Sequence, residues 1–308
     1  MQCKYIRIRP LSLFPELDSI KLFGAIFSAV SELYPEDIKE FENDFENGNI
    51  RVSSAFPVVG NTYFFPKPIL LSQKNENREE NKKKAIENYK KFKEFKKIKF
   101  IPKKFLEEII KKGFYDEELI NKANDEYEMK DDYLILKEGK RPESGIMELP
   151  KVGINRFSQK SDIFYKEGIY YKDTDLYFFV DADGKNYKII LTAIKFLEDR
   201  GFGPKYSSGY GQFKFVEKDT LNIHSCGERW LILSKYMPNN EEIKSIIWDN
   251  SFYQFKEIKG LTREGFHISP VYIFTEGSCF AGKKLQGKLE KSIPNYTLNG
   301  VPYIINVV

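Results

Sequence analysis

The segment Arg200 to Phe215, RGFGPKYSSGYGQFKF, sets glycines at 201, 203, 209 and 211 around serines at 207 and 208. Three chemistries compete for such a loop. A dinucleotide site needs G-x-G-x-x-G directly after a strand. Gly201 and Gly203 fit, but Tyr206 stands where the third glycine belongs, and the segment follows a helical pattern. A phosphate loop of the Gly-Lys-Ser/Thr kind fails as well, because Lys205 is followed by Tyr206 and only then by Ser207. A purely structural role, a helix cap followed by a turn, needs one or two glycines; four exceed it, since each costs chain entropy on folding. In the third chemistry, glycines let successive N–H groups point at phosphate oxygens. Ser207 and Ser208 then add hydroxyl donors, Lys205 adds charge, and Tyr206 or Tyr210 offers a ring for a base. The structural and phosphate-binding readings both stand at this point; the Gly/Ser/Lys/Tyr mixture suits single-stranded RNA better than duplex DNA.

Other reactive side chains are sparse. Three cysteines, Cys3, Cys226 and Cys279, form no C-x-x-C pair, and with two histidines no zinc pattern exists. Isolated cysteines of this kind are expected as small core residues. Asp181 and Asp183 flank a turn, and turn chemistry accounts for them more simply than a metal does. No cofactor or metal is expected. The net charge of +4 on 308 residues excludes a polycation, so any nucleic acid must be held by local patches. Arginine supplies nine of the 49 basic residues, which gives each arginine, a planar fork suited to phosphate, more weight than a lysine. No signal peptide opens the chain and no long apolar run occurs, so a reduced, soluble, cytoplasmic protein with no membrane partner is expected.

The elements that must position the loop follow from periodicity. CKYIRIRP alternates with period two: Ile6 and Ile8 face inward, and Tyr5, Arg7 and Arg9 form an outward aromatic-basic face, with Arg7 a candidate RNA contact. A helix starts at Asp18 or Ser19, carries Leu22, Ile26, Ala29, Val30 and Leu33 on one face, and stops at Pro35. Gly24 in its interior implies close approach of another strand or of a ligand. A shorter helix places Ile38, Phe41 and Phe45 together and ends at Gly48. Two extended segments flank Val59–Gly60–Asn61, and Pro66 and Pro68 confine FFPKPIL to an edge or rim.

Lysine and glutamate dominate from about Ser72 to Lys112, either as a solvated helical insertion or as a basic helix lying along nucleic acid or a partner. Pro102 and Gly113 bound a helix within it. Residues 133–156 are irregular, and VGINRFSQKSDIFYKEGIYY reads as a hairpin-rich arm. LYFFVDADGK is a strand with an Asp-Gly turn, NYKIILTAIKFLEDRG a helix, and GQFKFV the strand after the glycine loop. The last third gives strand RWLILSKYM, helix NNEEIKSIIWDN, strand SFYQFKEIKG, further strands through FTEGSCF, and strand VPYIINVV. The expected class is α+β: two ferredoxin-like (RRM-like) domains with antiparallel sheets, a Lys-rich helical insertion and a hairpin arm. Residues 1–216 form the first domain, with the insertion at about 72–156 and the loop at 201–211; residues 217–308 form a second, abridged copy.

GFGPKYSSGYGQF resembles the glycine-rich loop of the RAMP superfamily of CRISPR-associated RNA-binding proteins. LFGAIFSAVSELYP, YFFPKPIL, KKIKFIPKKFL, VGINRFSQKSDIFY, RWLILSKYMP and FTEGSCF fall in the order of one branch, the fourth Csm subunit of type III-A effector complexes. The resemblance spans nearly the whole chain. It implies a noncatalytic subunit that holds the 5′ tag of CRISPR RNA. It also implies two protein partners, the large polymerase-like subunit and the glycine-loop backbone (third Csm) subunit, which this chain would bridge. The implied tag-binding loop is Gly201, Gly203, Lys205, Ser207, Ser208, Gly209 and Gly211. Arg156 falls in the thumb-like arm, Phe65 and Lys67 in the rim motif, and Lys21 and Gly24 in the first helix. The arm of the family usually reads Ile-Asp-Arg; here it reads Ile154-Asn155-Arg156, without the carboxylate.

RNA-cleaving relatives of this fold use general acid–base chemistry, often with a histidine near the first helix. The first helix here has none, and His224 and His267 lie in the second half. Asp18 is the nearest counterpart of the aspartate that backbone relatives use, and helix capping accounts for it. The alternatives to the tag-binding role are the cap subunit of a type III-B complex and a metal-independent endoribonuclease that processes repeat RNA.

Overall fold

The computed structural model describes residues 1–72, 82–154, 161–203, 209–261, 267–293 and 296–308. In chain order the first half contains β1 (Gln2–Pro10), α1 (Ser19–Leu33), α2 (Ile38–Glu46), β2 (Arg51–Val52), β3 (Phe56–Val59), β4 (Thr62–Pro66), α3 (Lys82–Lys97), β5 (Phe100–Pro102), α4 (Lys103–Lys112), α5 (Glu117–Asp125), β6 (Tyr127–Lys130) and β7 (Tyr133–Leu136). Then come β8 (Glu143–Ile154), β9 (Ser161–Lys172), β10 (Asp175–Asp181), α6 (Gly184–Arg200) and β11 (Phe213–Asn222). The last third holds β12 (Arg229–Ile232), α7 (Asn240–Ser245), β13 (Ile247–Phe252), β14 (Phe255–Leu261), β15 (His267–Phe274), β16 (Cys279–Ala281), β17 (Leu289–Ile293), β18 (Tyr296–Asn299) and β19 (Ile304–Val307). The fold is mixed α+β.

A nine-stranded sheet runs β11-β1-β10-β3-β4-β5-β7-β6, with β2 paired to β10. Its pairs are antiparallel except β5 with β7. Helices α1 and α6 cover one face, where Ile6 and Ile8 of β1 meet Leu22, Ile26, Ile190 and Ile194. The outward face of β1 departs in part from the sequence expectation, because it is buried at Tyr5 and half-buried at Arg7 and stays exposed at Arg9. Tyr5 is 3% exposed and packs with Tyr177, Phe105 and Ile109 and with Leu231, Leu233 and Tyr303 of the last third. The insertion and the C-terminal strands together take the sheet face that period-two alternation left for solvent.

The insertion is therefore more than a solvated segment. Phe105, Leu106, Ile109 and Ile110 of α4 are buried, as are Phe95 and Ile98 at the end of α3. Pro102 caps α4 at its start, and Gly113 closes it in the left-handed conformation, φ 73°. Residues 133–156 are also more regular than their glycines suggested. β8 and β9 form one long antiparallel hairpin, from Glu143↔Lys172 to Ile154↔Ser161. Gly145, Pro150 and Gly153 are tolerated because this ribbon pairs on one side only.

Two local assignments change. Asp183-Gly184 is the start of α6, where the Asp183 carboxylate accepts from the Asn186 N–H at 2.7 Å, and no hairpin turn forms there. The helix expected over NNEEIKSIIWDN stops at Ser245 and the chain becomes β13, in keeping with the β-preference of Ile246, Ile247 and Trp248. A reciprocal Asn239–Glu242 box caps this short helix. The C-terminal sheet runs β13-β16-β12-β19, and the separate hairpins β14–β15 and β17–β18 share a core cluster with Ile20 of α1 through Ile273 and Leu298.

Candidate nucleic-acid interface

The glycine loop leaves α6 through Gly201, whose N–H bonds the Leu197 carbonyl at 2.6 Å. Its stem is closed by Phe202 N–H to Gly211 O and Gly211 N–H to Leu13 O, both 2.8 Å. Phe202 anchors the stem in the core, stacked on Phe213 at 4.6 Å and edge-on to Phe14 at 5.7 Å. All four glycines have positive φ. They differ in what surrounds them. A side chain at Gly211 would collide with the Phe202 carbonyl, and one at Gly201 with the Gln212 amide and the Tyr210 carbonyl. Around Gly209 there is open space within 4 Å, and around Gly203 only Pro15 comes close, at 3.9 Å. The stem glycines serve the protein's own backbone; Gly203 and Gly209 leave free room. Lys205, Tyr206, Ser207 and Ser208 lie outside the described residues, as does Arg156.

Tyr210 ties the loop to the arm. Its hydroxyl donates to the Glu167 carbonyl at 2.7 Å, and its ring occupies the space beside Gly168. Burial pushes its phenol pKa up. It lines a cleft of ≈ 1000 Å³ bounded by the residues before α1, the base of the arm, the rim after β4 and the end of α3. Lys21, Lys67, Lys96, Lys97 and Lys99 contribute to the lining, together with Phe100, Tyr133 and Tyr171.

Among the residues expected at a ligand, this cleft brings together Lys21 and Lys67 beside the loop's Tyr210. Lys21 is exposed and donates to the Glu16 carbonyl at 2.8 Å. Lys67 is half-buried; its ammonium donates to the Phe95 and Lys96 carbonyls at 2.6 and 3.2 Å and lies 4.6 Å over the Phe95 ring. Burial, reinforced by Lys96, lowers its pKa to about 8.

Two expectations are corrected, and one of the two alternatives for Gly24 is removed. Phe65 is fully buried, stacked on Phe179 at 5.9 Å, and is a core residue out of a ligand's reach. Gly24 meets no strand, because nothing lies within 4 Å of a side chain built there, which leaves the ligand alternative. Arg7 is held by protein groups: it bonds Asp175 at 2.8 Å, the Gly60 carbonyl at 3.1 Å and Glu217 at 3.3 Å. Asp175 is raised by burial, but hydrogen bonds from Arg9 and Arg7 outweigh that and hold its carboxyl below the usual range. Strand period alone gave no sign of this network, since its acid comes from β10.

Sequence reasoning missed Lys96, Lys97, Lys99, Phe100 and Tyr133. The signal available was KKIKF, where the lysine run breaks against Ile98 at the end of α3. Phe100 and Tyr133 stack at 5.2 Å.

The other candidates are structural or apart. The Asp18 carboxylate caps α1, accepting from the Lys21 N–H at 2.9 Å. His224 is exposed, and its backbone N–H bonds Glu107. Cys3 and Cys279 are buried core residues, and Cys226 is half-buried. Among the described residues no cluster of His, Cys, Asp or Glu is placed to hold a metal ion, and no helix is long and apolar enough to cross a membrane.

FTEGSCF locks the last third onto the rim of the cleft. Ile69 N–H bonds the Gly277 carbonyl at 2.7 Å, and a side chain at Gly277 would meet the Lys67 carbonyl. Glu276 accepts from Lys235 at 2.6 Å and from the Ser54 hydroxyl, while Ser54 Oγ accepts from the Ser19 N–H at the start of α1.

Comparison with known proteins adds independent information. Residues 225–299 match the family model described as the CRISPR Csm4 C-terminal domain. A curated relative, "CRISPR system Cms protein Csm4" of Thermococcus onnurineus (strain NA1), is 28% identical over 244 residues, 78% of this chain and 75% of that protein. The fold is similar to a chain in a Csm1-Csm4 cassette with cA4, at TM-score 0.63 and 20% identity over 100% of this chain and 98% of that one. It is also similar to a chain in a Csm3-Csm4 subcomplex of a type III-A interference complex, at TM-score 0.60 and 20% identity over 99% of both. The chain is thus similar to Csm4 proteins in its C-terminal segment, along most of the length of a curated relative, and in fold.

Proposed function

We propose that this chain is a noncatalytic, cytoplasmic subunit of a type III-A CRISPR effector complex that binds the 5′ tag of CRISPR RNA. In that complex it bridges the large polymerase-like subunit to the third Csm (backbone) subunit. The observation that carries the RNA part is the cleft of ≈ 1000 Å³ beside the glycine loop, lined by lysines and tyrosines. Gly203 and Gly209 flank the loop's central residues with free space on their open side, as close approach of a sugar-phosphate chain requires. The bridging part rests on the two similar structures, one containing Csm1 with Csm4 and the other Csm3 with Csm4. We read the strand order β11-β1-β10-β3, with crossovers α1 and α6, as one ferredoxin-like unit. The order β19-β12-β16-β13 is its abridged copy, with the β17–β18 hairpin in place of the second helix.

Filter binding of the full-length protein tests the tag claim, using a guide RNA with its tag and one with the tag scrambled. Tighter binding of the tagged guide is expected, weakened by Gly203→Leu and Gly209→Leu in protein that still melts cooperatively. Equal affinity for both RNAs, indifferent to either substitution, would sink it. Copurification of the large and backbone subunits with the tagged protein tests the bridge.

A further inference from the structure

The sequence left the Lys-rich insertion with two readings, a solvated segment or a basic element along nucleic acid or a partner. The charge distribution of the cleft separates them. Most of the carboxylates lining it are already engaged: Asp132 pairs with Lys99 at 2.9 Å, Asp18 caps α1, and Glu276 is held by Lys235 and Ser54. Glu16 and Glu167, exposed ahead of α1 and on the arm, make no ion pair among the described residues. On that side the cation in the lining is Lys21, which bonds the Glu16 carbonyl at 2.8 Å. On the insertion side, Lys96 and Lys97 are exposed and pair with no carboxylate among the described residues; Lys96 rests 4.9 Å over the Phe92 ring.

A helix end would normally favour cations here, because the last carbonyls carry partial negative charge. Lys67 meets that demand from below, donating to the Phe95 and Lys96 carbonyls at the end of α3. The C-terminal field of α3 is neutralised from inside the protein, and the ammonium groups of Lys96 and Lys97 remain for an external anion. An anionic strand that enters the cleft from the glycine loop finds at Lys96 and Lys97 two cations that no carboxylate of the described residues neutralises.

We propose that the insertion is an RNA-contacting element, and that Lys96 and Lys97 hold phosphates of the strand whose tag lies in the glycine loop. The assignment rests on the reading of the cleft as an RNA site, and it places the sugar-phosphate chain along the insertion.

The test measures filter-binding affinity of the full-length protein for tagged and scrambled-tag guide RNA across a KCl series. Phosphate contacts set the salt slope and carry no base preference. Lys96→Ala/Lys97→Ala should reduce the slope of log affinity against log salt by about 1.4, at about 0.7 per lysine for a single strand. It should leave the preference for the tag unchanged. Lys96→Arg/Lys97→Arg should restore the slope, and Lys214→Ala/Lys218→Ala, on β11 and outside the cleft lining, should not alter it. An unchanged slope in Lys96→Ala/Lys97→Ala with tag preference intact overturns this proposal and leaves the tag reading standing. Loss of tag preference in the unmodified protein overturns the tag reading, and the slope change still decides whether RNA runs over Lys96 and Lys97.

Discussion

At the scale of single residues, burial and neighbours decide which basic groups are available. Arg7 looks exposed by strand period, yet Asp175 and Glu217 claim it. Lys67 belongs to a rim motif, yet its ammonium points at carbonyls, and its pKa is lowered to about 8 by burial and by Lys96. A lysine whose folded pKa lies below its unfolded value of 10.5 gives up its proton earlier in the folded protein. Between those two values the unfolded chain holds more protons, so this group adds stability as pH rises, and below the folded value it imposes a constant cost. Relative to Lys67→Met, the unmodified protein should therefore gain about 1–2 kcal/mol between pH 7.5 and 9.5, read from urea midpoints at each pH. An identical difference at both pH values would mean that Lys67 titrates like a solvated lysine.

At the scale of elements, the glycine loop divides into stem and open part. Gly211→Ala forces a side chain onto the Phe202 carbonyl at φ 72°, whereas Gly209→Ala meets no atom at φ 75°. The left-handed conformation alone costs roughly 1–2 kcal/mol. Urea unfolding should show about that loss for Gly209→Ala and a further loss of about 1–2 kcal/mol for Gly211→Ala, because backbone on both sides of the stem cannot yield. Equal losses would place the strain elsewhere. The loop itself was legible as a glycine excess, because four glycines in eleven positions stand out in any composition. The division between stem and open part was not, because it depends on Leu13 and Phe202, which come from different parts of the chain.

At the scale of the whole molecule, the last third is joined to the rest by several polar contacts, among them Arg51 to the Leu285 and Pro302 carbonyls and the pair Lys235–Glu276. The Lys235 side chain is 4% exposed and its partner Glu276 is 15% exposed, and together they tie the β15–β16 turn to the start of α1 through Ser54 and Ser19. Removing one partner strands a buried charge, which typically costs about 3–5 kcal/mol. Glu276→Ala should lose stability of that order in thermal or urea melts. The double variant Lys235→Met/Glu276→Ala should recover much of it, since the penalty is the unpaired ammonium and not the lost bond. Additive losses in the double-mutant cycle would show that the pair is not coupled. Because Glu276 also lines the cleft, a loosened joint would reach the candidate RNA site as well.

Local patterning was enough to read the α+β class, the α1 stripe of Leu22, Ile26 and Val30, the Pro102–Gly113 bounds of α4 and the loop after α6, because each depends on neighbours within one or two turns of chain. Motif order was enough to point to the likeness to Csm4 proteins. Period-two alternation could not reveal that the second face of β1 is covered at Tyr5, since Phe105 and Tyr303, in the same core cluster, stand about a hundred and about three hundred positions away. Nor could it reveal which lysines are spent. Lys67, Lys96 and Lys97 look alike in a row of lysines, and only the folded chain brings the carbonyls of Phe95 and Lys96 to the first and leaves the other two facing the cleft. Charge can be counted along a sequence, but whether it is free depends on which acceptors and acids the tertiary structure brings within about 4 Å of it.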